Sequence, residues 1–251
     1  MNIINDFKGF TKYEKTFFTL FILAQIIIFF LPLFIGEEKS IGVDGWLNLI
    51  AAISGVLCVF MAAKGRLSTF FYGLIQVSTY GYLSFKAHFM GEVGMQVIFG
   101  IFQFIGLYVW LKNRHLDQSE KTEEVDSRGL TMKQWGIVIV VTIVVYAALV
   151  FLLSQLSGAF YSEQPWIDGA STSLSLVAQT LMTLRFSEQW FFWIVVNIIT
   201  IVLWVTNLVQ SIQMEAVNFG SVAMIVMWVA FLINSIYGYI QWKQKEDIQP
   251  L

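Results

Sequence analysis

The chain reads as an all-α integral membrane protein of eight transmembrane helices: one extra helix, then two like-oriented three-helix units joined by a connector helix, 1+(3+1+3). Three observations predict this. Eight apolar windows have spanning length, the basic residues alternate between successive connections, and similar residues recur at offsets of 124 to 132 positions.

The windows come first. Only 13% of the 251 residues are charged and 57% are hydrophobic, with a mean hydropathy of +0.69; an average soluble domain carries about 25% charge. Spans are expected at Thr16 to Ile35, Gly45 to Ala63, Ser68 to Phe85, Val93 to Leu111, Gln134 to Ser154, Ala170 to Leu184, Gln189 to Leu208 and Asn218 to Gln241. The first is long enough to span and lacks a small-residue cleavage site, so it reads as a helix and not as a leader. The sixth, STSLSLVAQTLMTL, is hydroxyl-rich and has to face protein or a cavity.

Charge placement requires that sixth span. Lys8, Lys12, Lys15, Lys64, Arg66, Lys112, Arg114, Lys121, Arg128, Lys133, Arg185, Lys243 and Lys245 fall on one side, and only Lys39 and Lys86 on the other. By the positive-inside rule both termini are cytoplasmic. The other side carries Glu37, Glu38, Asp44, Glu92, Glu163, Asp168 and Glu215. The amphipathic N-terminus is expected at the membrane surface with Phe7 and Phe10 dipped in. The connection from Lys112 to Lys133 is expected to be a solvated linker, its acidic cluster Glu120, Glu123, Glu124 and Asp126 serving solvation.

The repeat comes third. Asp44-Gly45 recurs as Asp168-Gly169 at an offset of 124, and GLYVWLK from Gly106 recurs as GYIQWKQ from Gly238 at 132. The organisation is then 1–43, an N-terminal segment and extra helix; 44–112, a first unit; 113–133, the linker; 134–167, the connector and an external loop; 168–242, a second unit; and 243–251, a tail. A three-helix unit ends on the side opposite its start, so one connector gives both units the same orientation. That is the parallel, SWEET-like arrangement, in which ligand sits between the units near the bilayer midplane.

Composition also excludes functions. Cys58 is the only cysteine, and His88 and His115 are isolated, so neither a disulfide framework nor a metal site is expected. No phosphate loop or catalytic set occurs, so no cofactor and no enzymatic activity are expected, and no nucleic-acid partner. The span interiors lack Asp, Glu, Lys and Arg, which argues against ion-driven machinery. Glu92, Arg185 and Glu188 read as interfacial.

The interior offers neutral amides and aromatic rings instead. Trp190, Trp193 and Asn197 fall within an arc of roughly 60° on one helix face, two π surfaces beside an amide. Gln96 and Gln103 share a face of the fourth span, with Gly100 between them allowing close approach. Asn234 and Tyr237 share a stripe on the eighth, and Gln76 and Tyr80 face inward from the third. Converging, these faces would enclose a neutral, aromatic-walled site for a small polar aromatic solute with hydroxyls.

Taken together, Gly73 to Tyr80, GMQVIFGIFQFIGLYVWLK from Gly94, WFFWIVVN from Trp190 and NSIYGYIQW from Asn234 resemble the PnuC nicotinamide riboside transporters over residues 44–242. The resemblance implies a homotrimer in the bacterial inner membrane with a pathway in each protomer. It also implies facilitated uptake of nicotinamide riboside, an NAD precursor, down its gradient, with a cytoplasmic kinase trapping the product. On that resemblance Trp190 and Trp193 would stack on the nicotinamide and Asn197 would address its carboxamide or ribose. Gln96 matches the family's glutamine, and Asn234 with Tyr237 its polar pair. The extra first span has no assigned transport role. A vitamin or sugar facilitator of the same fold remains an alternative, because tryptophans also stack on sugars; a scaffold subunit predicts no pocket; an enzyme would have only Glu188 and His115. Depth along the span makes Trp193 and Asn197 the centre of the site and Trp190 a residue of the cytoplasmic exit.

Overall fold

The computed structural model describes residues 5–35, 42–86, 90–117, 122–158, 165–214 and 219–247. It contains helices α1 (Lys12–Ile35), α2 (Val43–Ala63), α3 (Ser68–Lys86), α4 (Met90–Lys112), α5 (Met132–Gln155), α6 (Pro165–Thr183), α7 (Gln189–Gln213) and α8 (Phe219–Asp247). A short hairpin of β1 (Arg114–Asp117) and β2 (Thr122–Val125) follows α4. Six helices are long and apolar enough to cross a membrane: α1, α2, α4, α5, α7 and α8. The other two, α3 and α6, are the polar ones, and both bury part of their polar groups, Ser68, Thr69 and Ser84 in α3. In α6, Ser173, Ser175, Gln179 and Thr183 are enclosed by protein, as the hydroxyl-rich sixth window requires. Glu37, Glu38, Lys39, His88, Glu120, Lys121, Glu163 and Glu215 lie outside the described residues.

Helix packing is reciprocal. Within each group of three, α2 packs on α3 and α3 on α4, while α6 packs on α7 and α7 on α8; across the groups, α2 meets α8 and α4 meets α6. The connector α5 lies against α6, and α1 against α2 and α8.

The two turns at the basic end have the same backbone pattern. After α2, Gly65 has φ 71° and donates to Ala62, while Arg66 donates to Met61. After α6, Arg185 has φ 65° and donates to Met182, while Phe186 donates to Leu181. Both are Schellman closures of a helix C-terminus. They correspond at an offset of 120, four fewer than the offset the Asp-Gly pairs suggest. A left-handed arginine costs more than a glycine there, and Arg185 is held by its guanidinium donating to the Asp126 carbonyl at 3.3 Å.

Two tryptophans close this end. Trp110 and Trp242 are wholly buried, with ring centroids 5.9 Å apart. The Trp110 indole donates to the Met182 carbonyl of α6 at 3.1 Å, and the Trp242 indole donates to Ala62 and Ala63 of α2, each at 3.1 Å. Each ring thereby reaches from the last helix of one group to the first helix of the other.

Two expectations need correction here. The connection after α4 is not merely solvated: Val125 is 2% exposed within the same cluster as Trp110 and Trp242, and buried Glu124 pairs with Arg66 at 3.3 Å and Lys245 at 2.5 Å. A hairpin can bury one apolar side chain in a polar sequence, which a composition average conceals. Nor do Phe7 and Phe10 simply dip into lipid. Phe10 meets Phe60 edge-to-face with ring centroids 5.1 Å apart, and Phe7 lies edge-on to Tyr72. Arg66 donates to the Asp6 and Lys8 carbonyls, fastening the N-terminal segment to the bundle.

Candidate functional site

The segment WFFWIVVN opens α7 at the basic end. Trp190 is 2% exposed and lies over Gly238 of α8, where an added Cβ would come within 2.7 Å of the indole. Trp242 meets Trp190 edge-on at 6.0 Å. Trp190 is therefore packed among the residues that close the basic end, and its indole N–H has no partner among the described residues. Trp193, one turn deeper, is half-buried and touches two apolar clusters, one around Trp190 and one around Phe192. Asn197, a further turn in, is 2% exposed and donates to Ser235 Oγ of α8 at 2.9 Å.

Gln103 and Gln96 of α4 are both buried against α3. The glycines that admit them are on α3. A Cβ on Gly73 would come within 2.5 Å of Gln103 Oε1, and one on Gly81 would lie 3.3 Å from Gln96 Cβ. Gly100, expected to provide this approach, meets only Val77 at 3.9 Å. The Oε1 atoms of both glutamines are buried without a partner among the described residues. Gly73→Ala is expected to displace the Gln103 amide, a flexible end, while gaining roughly 0.5–1 kcal/mol of helix propensity. Melting temperature should hold while ligand affinity falls several-fold. A parallel thermal and calorimetric measurement checks this, and unchanged affinity would remove Gln103 from the site.

On α8, Asn234 is 2% exposed; its Nδ2 donates to the Val59 carbonyl of α2 at 2.8 Å, and its Oδ1 has no partner among the described residues. Gln76 of α3 is half-buried against Gly55 of α2, beside Phe231. Asn234, Asn197 and Gln76 are thus gathered around the Gly55 to Val59 stretch of α2 and the Phe231 to Ser235 stretch of α8. Tyr80, half-buried, lies one turn beyond Gln76 away from the basic end. Tyr237 points elsewhere. Its hydroxyl donates to Glu14 Oε1 of α1 at 2.6 Å, and Lys64 reaches the same oxygen at 3.0 Å.

Glu14 corrects the reading of the first span, because α1 begins at Lys12 and brings a wholly buried carboxylate inside its first turn. Glu14 also completes a capping box with Thr11, accepting from Thr11 N and donating its own N–H to Thr11 Oγ1. The T-x-x-E spacing was the available signal. Ser235 gave none, being one serine among many. Trp110 and Trp242 were visible as matching positions in GLYVWLK and GYIQWKQ, although that match spoke only of a repeat. Glu188, at the α7 N-terminus, pairs with Lys243 at 3.1 Å, an anchor between α7 and α8. Among the described residues no group of His, Cys, Asp or Glu could hold a metal.

Ordered along their helices, the candidate residues run as a ladder from Trp190 at the basic end, through Trp193, Asn197, Asn234, Gln76 and Gln103, to Tyr80 and Gln96, while Tyr237 stands aside on Glu14. It offers ring faces and the lone acceptors of Gln96, Gln103 and Asn234. An unpaired buried acceptor costs about 1–3 kcal/mol, so these three favour a ligand rich in N–H and O–H donors. Apolar grooves of about 410 and 310 Å³ run between α5 and α6, away from the ladder.

Residues 45–244 match the family model described as nicotinamide mononucleotide transporter. The nicotinamide riboside transporter PnuC of Neisseria mucosa is 36% identical over 238 residues, covering 94% of this chain and 82% of that protein. The protein of that name from Haemophilus influenzae is 35% identical over 237 residues, covering 93% and 91%. A crystal structure of the vitamin B3 transporter PnuC superposes with a TM-score of 0.80 at 34% identity, covering 97% of this chain and 96% of that one.

Proposed function

Since the chain belongs to the nicotinamide mononucleotide transporter family, we propose that it carries nicotinamide riboside, passively, between two like-oriented three-helix units. The observation that carries the substrate is the ladder itself, whose eight residues are all uncharged. The pyridinium ring of the riboside would lie against Trp193, where cation–π attraction adds to stacking. Its carboxamide and ribose donors would meet the lone amide acceptors. The same neutrality separates riboside from mononucleotide, the molecule named in the family description. A phosphate would shed hydration with no Lys or Arg in the ladder to replace it, at a cost of several kcal/mol.

The repeat is supported by the two Schellman turns, by the reciprocal tryptophan bonds and by α2 meeting α8 as α4 meets α6. These relations favour a pseudo-twofold axis along the membrane normal, the parallel SWEET-like arrangement. Placing the basic end in the cytoplasm follows from the positive-inside rule and puts both termini there. Ion coupling lacks support, because the charged side chains within the described helices lie within five residues of a helix end. Net uptake then depends on a cytoplasmic kinase converting riboside to a product the ladder does not hold. Homotrimers, each protomer with its own pathway in the bacterial inner membrane, complete the reading.

Calorimetry on the purified protein tests the substrate. Nicotinamide riboside is expected to bind in the micromolar range and the mononucleotide at least tenfold more weakly. Equal binding would sink the neutral-site account. Thermal stabilisation by a panel including thiamine and sugars identifies any other ligand, because only bound ligand contributes RT ln(1 + [L]/Kd). Uptake into sealed vesicles is expected without a proton or sodium gradient, and to exceed equilibrium only when kinase and ATP are inside. Strict dependence on an ion gradient would refute passive transport.

A further inference from the structure

The basic end is bridged by a short piece of the linker. Val125 N–H donates to the Gly65 carbonyl at 3.0 Å, at the turn between α2 and α3. Three residues on, Arg128 N–H donates to the Arg185 carbonyl at 2.8 Å and the Arg128 carbonyl accepts from Ser187 N–H at 2.9 Å, at the turn between α6 and α7. The two left-handed residues, Gly65 and Arg185, are thus held by one extended segment through equivalent backbone oxygens. Between them, buried Ser127 Oγ donates to the Trp242 carbonyl at 2.7 Å. Glu124 adds an ionic tie across the same divide: one oxygen meets Arg66 of the first unit at 3.3 Å and the other meets Lys245 of α8 at 2.5 Å.

We propose that Glu124 to Arg128 is a cytoplasmic strap, which holds the inner mouth shut by fastening both three-helix units and sets the rate at which substrate is released inward. This rests on the transport reading above. Inward release requires the units to part where Trp110 and Trp242 meet, and each indole is bonded across the divide. The indoles alone would allow a small slide. The strap opposes it, because a rigid run of four residues bonded at both ends cannot follow two units moving apart. Its bonds to one side must break. Glu124 is the residue whose removal most weakens this closure, since Arg66 and Lys245 would then face one another across the mouth without the carboxylate they share.

The test uses Glu124→Gln in the full chain, with Lys245→Met as a second variant that leaves the Glu124 to Arg66 pair intact within the first unit and is expected to fold. Two measurements are made on each: amide hydrogen exchange, and exchange of labelled nicotinamide riboside across proteoliposome membranes. In both variants the amides of Val125 and of Ser187, which mark the strap's bonds to opposite units, are expected to exchange at least tenfold faster. Riboside exchange should rise at least threefold, with affinity unchanged within twofold. Faster amide exchange confined to 122–126 with Ser187 unaffected would overturn the strap, as would an unaltered riboside exchange rate. If the unsubstituted protein fails to exchange riboside at all, the transport reading falls instead, and the amide data still decide whether the segment fastens both units.

Discussion

Trp242→Ala is expected to lower the melting temperature by roughly 6–20 °C, and Trp110→Ala by a similar amount. Both side chains are wholly buried, and truncating a buried tryptophan costs about 3–5 kcal/mol, with each kcal/mol worth about 2–4 °C in a chain of this size. The indole bonds are a smaller part. Trp110→Phe and Trp242→Phe keep most of the ring volume and lose only donation to α6 or α2, about 1 kcal/mol each. The near equality of the two phenylalanine variants is the informative result, because it follows from the reciprocal geometry and not from burial alone. Fluorescence or calorimetric melting in detergent reads all four. Melting of either alanine variant at the unsubstituted temperature would remove that tryptophan from the closure.

Why the sequence disclosed one part of this architecture and hid another can be argued from single residues. The helices were legible because lipid forces each crossing segment to satisfy its own backbone, so a window of apolar residues is itself the structural requirement. Even the polar sixth window was legible, through the placement of Arg185 among the basic connections, and Ser173, Ser175, Gln179 and Thr183 are buried as that placement demanded. The register of the repeat was less so. Asp44 and Asp168 lie near the helix starts, where α2 and α6 differ in length, whereas the matching Schellman turns at their other ends fix the offset at 120. The hairpin was illegible because Val125 is a single apolar residue in a polar stretch, and Glu124 looks like any solvated acid until Arg66 and Lys245 arrive from remote positions. For the ladder, helical spacing foretold the shared face of Trp190, Trp193 and Asn197. It could not show that Trp190 is wedged over Gly238 or that Tyr237 gives its hydroxyl to Glu14, since both depend on how helices from different parts of the chain meet.

That division within the ladder makes Trp193→Ala the sharpest probe of the binding site. Trp193 is half-buried, whereas Trp190 is enclosed by Gly238 and Trp242, so truncating Trp193 should disturb the fold less and the ligand more. Stacking of an aromatic ring is worth about 1–3 kcal/mol, and the positive charge of the pyridinium adds up to about 2 kcal/mol when desolvated. A combined loss near 2–3 kcal/mol lowers nicotinamide riboside affinity by roughly 30- to 150-fold. Trp193→Phe, which retains a smaller π face, should lose much less. An uncharged dihydro form of the riboside, whose ring has lost both the positive charge and its aromaticity, tests the attraction to the indole: the penalty for Trp193→Ala should shrink with it. Calorimetry with both ligands on both variants gives the cycle, and size-exclusion profiles check that each variant elutes as the unsubstituted protein does. If Trp193→Ala binds the riboside as tightly as the unsubstituted protein, Trp193 is a packing residue of the two clusters it touches, and the stacking surface has to be sought elsewhere on the ladder.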